Sequence, residues 1–179
     1  MVNHKHKFIF VHIPRTGGTS IECFFDKQVC ENYFFRKKHS SHRYELAAFS
    51  DYFSFTFVRN PWDRMLSFYL KVTSGAKNPI TFLNWLKSYH VYNKYPCSMC
   101  DFIFDTNETQ NVDFVGRYEN FQDDFNFVCN KLDVPVSRLQ KLNQVPHKEY
   151  TNYYDTESIA LVNQLCYRDI EFFEYEYGK

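Results

Sequence analysis

The stretch "FIFVHIPRTGGTSIECFF", Phe8 to Phe25, reads as an apolar strand, a tight turn with two adjacent glycines, and then a helix. That is the layout of a phosphate-binding loop. It is not a Walker A loop, which needs G-x-x-x-x-G-K-S/T. With Gly18 at the second glycine, Ile13 falls at the first glycine position and Thr19 at the lysine. The cation, Arg15, precedes the glycines instead.

The residue types still describe an anion site. A helix N-terminus offers unpaired N–H groups and the positive end of its dipole. Gly17 and Gly18 remove the Cβ atoms that would keep an anion from the backbone. Thr19 and Ser20 add hydroxyls in the first turn, and Arg15 adds a permanent cation. The segment Arg15, Thr16, Gly17, Gly18, Thr19 and Ser20 is therefore expected to hold a compact tetrahedral anion.

Working outward, "FSFTFVR", Phe53 to Arg59, is a second strand, aromatic and β-branched. Asn60 then caps a helix with Pro61 at its first position. Trp62, Met65, Leu66 and Tyr69 give that helix an apolar face. Arg59 ends the strand, at the edge where open α/β sheets bind ligands. Ser67 lies two turns into the helix. Together Arg59 and Ser67 can grip a second phosphate, with Arg59 as a bidentate donor. Asp63 and Arg64 are expected to make surface ion pairs. Two anion sites on neighbouring strand ends imply a nucleoside carrying phosphates at both ends.

Further along, Asn78 with Pro79 signals a helix to about Ser88. The stretch from His90 to Thr109 has no clear periodicity and reads as an insertion. Asp113 to Tyr118 is a third strand, Phe121 to Lys131 a helix, and Asp155 or Thr156 caps a last helix through about Phe172. Strand–loop–helix units in this order predict an α/β fold. The expectation is a single P-loop-like, three-layer α/β/α domain over residues 1–179 with a central parallel sheet.

The bulk numbers narrow the function. The 179 residues include 21 basic and 21 acidic side chains, so formal net charge is zero and nothing argues for a nucleic-acid partner. Aromatics reach 20%, which suits a phenylalanine-filled core. The opening "MVNHKHK" is too short and polar for a signal peptide, and no apolar run approaches a membrane span. A cytoplasmic chain with mostly reduced thiols is expected from this. The pair Cys97 and Cys100 forms a lone C-x-x-C, and zinc would need two more ligands from elsewhere. No metal site is expected.

"FVHIPRTGGTS" with "FTFVRNPWDRMLSFY" resembles the two signature segments of sulfotransferases that use 3′-phosphoadenosine 5′-phosphosulfate (PAPS). The similarity is to the carbohydrate branch, typified by heparan sulfate 2-O-sulfotransferase and its small bacterial relatives. "FVGRYENFQDDF", Phe114 to Phe125, resembles the family's G-R-F/Y-E segment, and "RDIEFFEYEY", Arg168 to Tyr177, its C-terminal D-I-E-x-F-x-Y. The resemblance implies PAPS as donor and 3′-phosphoadenosine 5′-phosphate (PAP) as product, with no metal. It places the 5′-phosphosulfate on Arg15 through Ser20 and the 3′-phosphate on Arg59 and Ser67. The family usually has lysine where Arg15 stands. Arginine stabilises charge on a leaving oxygen but does not donate a proton to it.

The acceptor hydroxyl needs a base. The resemblance points to His39, in "KHSS", with His42 as runner-up and Glu22, Glu45 and Glu119 as weaker candidates. His12 belongs to the first signature and is expected to be structural. The basic run "RKKHSSHR" from Arg36 to Arg43 either meets an acidic glycan acceptor or is a solvated loop. "NQVPHKEYTNYY", Asn143 to Tyr154, carries His147, Lys148 and Tyr150, types suited to covering a nucleotide. Two other readings stay open: a P-loop-type nucleotide kinase, and a non-catalytic module that binds PAP or PAPS.

Overall fold

The structure is a computed structural model that describes residues 1–26, 43–89, 96–105 and 107–179. These fall into two compact units: Met1–Val58 with Asp101–Asn143, and Arg59–Cys100 with Gln144–Lys179. In chain order the elements are β1 (Val2–Asn3), β2 (Phe8–Val11), α1 (Gly18–Phe25), α2 (Arg43–Ala48), β3 (Phe53–Val58) and α3 (Pro61–Thr73). They continue with α4 (Phe82–Lys87), α5 (Cys100–Ile103), β4 (Phe114–Arg117), α6 (Phe121–Lys131), α7 (Thr156–Leu165) and α8 (Tyr167–Phe173).

The first unit holds a four-stranded sheet in the order β1-β2-β3-β4. The pairs β2–β3 and β3–β4 are parallel, with Phe10 opposite Phe55 and Phe57 opposite Gly116. All four residues of β2 are fully buried, as a parallel strand covered on both faces requires. The phenylalanines do fill the core: Phe8, Phe10, Phe55 and Phe57 cluster with Ile21 of α1 and with Phe121, Phe125 and Val128 of α6. Burying rings of this size supplies much of the driving force for the unit. The Thr56 hydroxyl donates to the Val11 carbonyl at 2.7 Å, fixing the ends of β2 and β3 in register.

The expected α/β fold is present, but the sheet is mixed. The polar N-terminus adds β1 antiparallel to β2. The Met1 amine donates to the Phe10 carbonyl at 2.6 Å, and the Phe10 N–H donates to the Met1 carbonyl at 2.8 Å. A short partner for edge hydrogen bonds explains why an unpatterned segment becomes a strand.

In the second unit, α3 starts as its sequence dictates. The Asn60 side chain accepts from the N–H groups of Trp62 and Asp63 at 3.1 and 3.2 Å. The next helix does not start at Asn78–Pro79. Thr81 caps it instead, accepting from the Asn84 N–H. The last helix is broken in two at Cys166. Just beyond the break, a tertiary contact holds the second piece. Asp169, fully buried on α8, accepts from the Ser98 hydroxyl at 2.7 Å and the N–H groups of Met99 and Cys100 at 2.8 and 3.0 Å. Asp169→Ala strips three buried donors of their acceptor, so urea unfolding is expected to show a loss of roughly 3–5 kcal/mol.

Arg64 is not on the surface. It is fully buried, donates to the Cys97 carbonyl at 2.5 Å, and lies 5.2 Å from the Phe68 ring centroid. Most of the described thiols are reduced, as expected, and one cysteine is bonded. Cys97, Cys100, Cys129 and Cys166 are free and buried, but Cys23 on α1 is disulfide-bonded.

Candidate functional site

The glycine-rich loop forms within the first unit. Arg15 and Gly17 both take left-handed backbone, with φ of 69° and 85°. Gly17 is the N-cap of α1 and has no side chain to satisfy the first turn. The Thr16 hydroxyl is buried and donates to the Ile13 carbonyl at 2.9 Å, so it closes the loop rather than facing outward. Gly18 begins the helix directly against His12. A Cβ there would lie 2.3 Å from the His12 ring carbon Cδ2. His12 is buried and turns Nδ1 toward Glu22, 3.1 Å from Oε1. The strand end, the glycine and the helix are thereby locked together. His12 has the structural position expected of it, and the same contact engages Glu22.

The first turn of α1 contains no acidic side chain. In contrast, α3, α6 and α7 carry Asp63, Asp123 with Asp124, and Glu157 in theirs. The positive end of α1 therefore has no carboxylate of its own turn to neutralise it. Thr19 and Ser20 are buried in that turn. Ser20 Oγ accepts from the Leu142 N–H at 3.1 Å, which ties the 138–142 segment to the loop. Beside it lies a cavity of about 760 Å³, lined by Phe121, Gln122, Arg138, Leu139, Gln140 and Lys141. The Phe121 ring also packs on Gly17, where a Cβ would come within 2.6 Å.

The second candidate group forms in the other unit. Arg59 follows the last residue of β3 and is buried. Its backbone N–H donates to Met99 Sδ at 3.5 Å. Its guanidinium grips Asp63, with Nε 2.8 Å and Nη2 2.7 Å from Oδ2. Asp63 is therefore a partner of the candidate phosphate ligand, not a generic surface charge. Asp63 Oδ1 lies 3.8 Å from His147 Nε2, while His147 Nδ1 donates to the Lys148 carbonyl at 2.6 Å. Tyr150 Oη accepts from Asn60 Nδ2 at 3.4 Å, and the Tyr154 hydroxyl donates to the Trp62 carbonyl at 2.8 Å. Burial holds the Tyr154 phenol well above its ordinary range, so it stays a donor. Ser67 is buried within α3.

The 147–154 segment thus packs on the start of α3. In the sequence, the Arg59–Asp63 spacing of four signalled the ion pair, and the residue types of 143–154 marked that segment without showing that it packs on α3. His39 and His42 lie outside the described residues. Among the described residues, no group of three or more His, Cys, Asp or Glu side chains is placed to hold a metal ion. No helix among them is long and apolar enough to cross a membrane.

Comparison with known proteins bears on the family. No solved structure matches the chain. An uncharacterized protein of Archaeoglobus fulgidus is 31% identical over 107 residues, covering 57% of this chain and 85% of that one. The sulfotransferase family matches residues 1–176, a span that contains the loop, Arg59, Ser67 and the buried Asp169. The chain belongs to the sulfotransferase family.

Proposed function

We propose that the protein transfers a sulfuryl group from PAPS to an acceptor hydroxyl, most plainly that of a carbohydrate, by in-line displacement. The observation that carries the reading is the start of α1. It combines a left-handed Gly17, a Gly18 with no room for a side chain, two buried hydroxyls and no acid in the first turn. Such a cradle fits the 5′-phosphosulfate. Arg59, with Ser67, is assigned to the 3′-phosphate, where its fork exchanges the Asp63 carboxylate for phosphate oxygens. The cavity beside Phe121 is assigned to the rest of the nucleotide, since an aromatic wall suits a base.

In this reading the chain's work is positioning and charge stabilisation. The S–O bond to the donor phosphate breaks as the acceptor oxygen attacks sulfur. Negative charge grows on the departing phosphate, where Arg15, the α1 N–H groups and the Thr19 and Ser20 hydroxyls stabilise it. His39 takes the acceptor proton. The test is incubation with radiolabelled PAPS and a panel of glycans, lipids and tyrosine peptides. Label should pass to a glycan.

Two variants probe the assignments. Arg15→Lys keeps the charge, so kcat should change by no more than about 10-fold, whereas Arg15→Ala should cost roughly 100- to 1000-fold. His39→Ala should lower transfer by about 100- to 10,000-fold with PAP affinity unchanged. The same loss in His42→Ala, with His39→Ala active, would move the base to His42.

A further inference from the structure

The Sγ atoms of Cys97 and Cys166 lie 3.2 Å apart in the second unit, with Cys97 nearly buried and Cys166 fully buried. We propose that these two residues form a disulfide in the folded protein, a cross-link made as the chain folds under an oxidising thiol couple such as glutathione and its disulfide. The sulfurs need to close by only about 1 Å to reach the ~2.05 Å of the bond. Both ends are already positioned by other contacts. The Cys97 carbonyl accepts from Arg64, and Ser98, Met99 and Cys100 are held by Asp169, three residues beyond Cys166. Closure therefore joins two segments that the fold has brought together by independent means.

Among the described residues, the other cysteines are poorly placed to compete. Cys129 belongs to the other unit's core. Cys100 has its thiol engaged with Asp169, and burial first, then that carboxylate, push it up to about 12, so it makes a poor attacking thiolate. Cys23 is already disulfide-bonded, so this chain accommodates an oxidised pair elsewhere.

The net exchange is balanced: two cysteine thiols and one glutathione disulfide give the Cys97–Cys166 bond and two glutathione thiols. It takes place before burial is complete, because the folded sulfurs are out of reach of an exchanging thiol. The bond closes a separation of 69 residues, a long loop, so it removes much chain entropy from the unfolded state. It also pins the turn that presents Met99 to the Arg59 amide. It is a structural cross-link, not a switch.

The test uses the whole chain, refolded in a glutathione buffer, then denatured, alkylated with iodoacetamide, digested and mapped by mass spectrometry. The expected result is a Cys97–Cys166 linked peptide, two hydrogens lighter than the separate thiols. A wild-type Tm about 5–15 °C above that of Cys97→Ala/Cys166→Ala, under the same oxidising conditions, should accompany it. Alkylation of both residues in the oxidised protein overturns the proposal. So does a peptide linking Cys97 to Cys100. The wild-type map needs no variant, so a variant that fails to fold leaves the test intact.

Discussion

Arg59→Ala should weaken binding of PAP by roughly 100-fold or more, because it removes a forked, charge-assisted donor from a buried position. The effect exceeds the loss of one contact. Arg59 is the close partner of Asp63, with two nitrogens within 2.8 Å of one carboxylate oxygen. Without the guanidinium, Asp63 remains as a partly buried negative charge beside the place assigned to a phosphate. Arg59→Lys separates the two effects. It keeps the charge but loses the fork, so affinity should fall by about 10-fold. Arg59→Ala/Asp63→Ala removes the leftover charge, and its Tm should recover toward wild type while affinity stays low. Unchanged PAP binding in Arg59→Ala would remove the 3′-phosphate from this residue.

Gly18→Ala is the second large effect. Its methyl group would sit 2.3 and 2.4 Å from His12 Cδ2 and Nε2, well inside contact distance. The ring has little freedom to yield, since His12 is buried at the end of β2 and held by Glu22. The loop must open or the helix must shift, at a cost of about 1–3 kcal/mol in stability. PAP affinity should fall by roughly 100-fold, because the N–H groups of the first turn lose their aim. Gly75→Ala is the control. Unlike Gly18, that glycine has positive φ, but nothing lies within 4 Å of the added Cβ. It should cost only about 1 kcal/mol and leave binding untouched. The double variant Gly18→Ala/His12→Ala removes the overlap and should regain part of the lost stability. If Gly18→Ala binds PAP like wild type, the loop is not the cradle.

What was legible in the sequence follows from where the information sits. The starts of α1 and α3 and the whole of α6 were readable because glycine, asparagine, proline and apolar spacing act within a few residues. The three parallel strands were readable as runs of aromatic and β-branched residues. The strand β1 was not, because its two residues carry no pattern and exist only as an edge partner for β2. The break at Cys166 was hidden for a similar reason. The residues near it carry no breaking signal, and the bonds that hold Asp169 just beyond it come from a turn about 70 residues earlier. Within the candidate site, the residue types were visible and their mutual restraints were not. That Thr16 closes the loop, that Asp63 occupies the Arg59 fork and that His147 approaches Asp63 are all tertiary facts.

The most direct measurement is calorimetric titration of the wild-type protein with PAP, with ATP and magnesium as the comparison. The account expects saturable binding of PAP at one site per chain, much tighter than any binding of ATP, because ATP lacks the 3′-phosphate assigned to Arg59 and Ser67. Absence of PAP binding, or preference for ATP with magnesium, would contradict it.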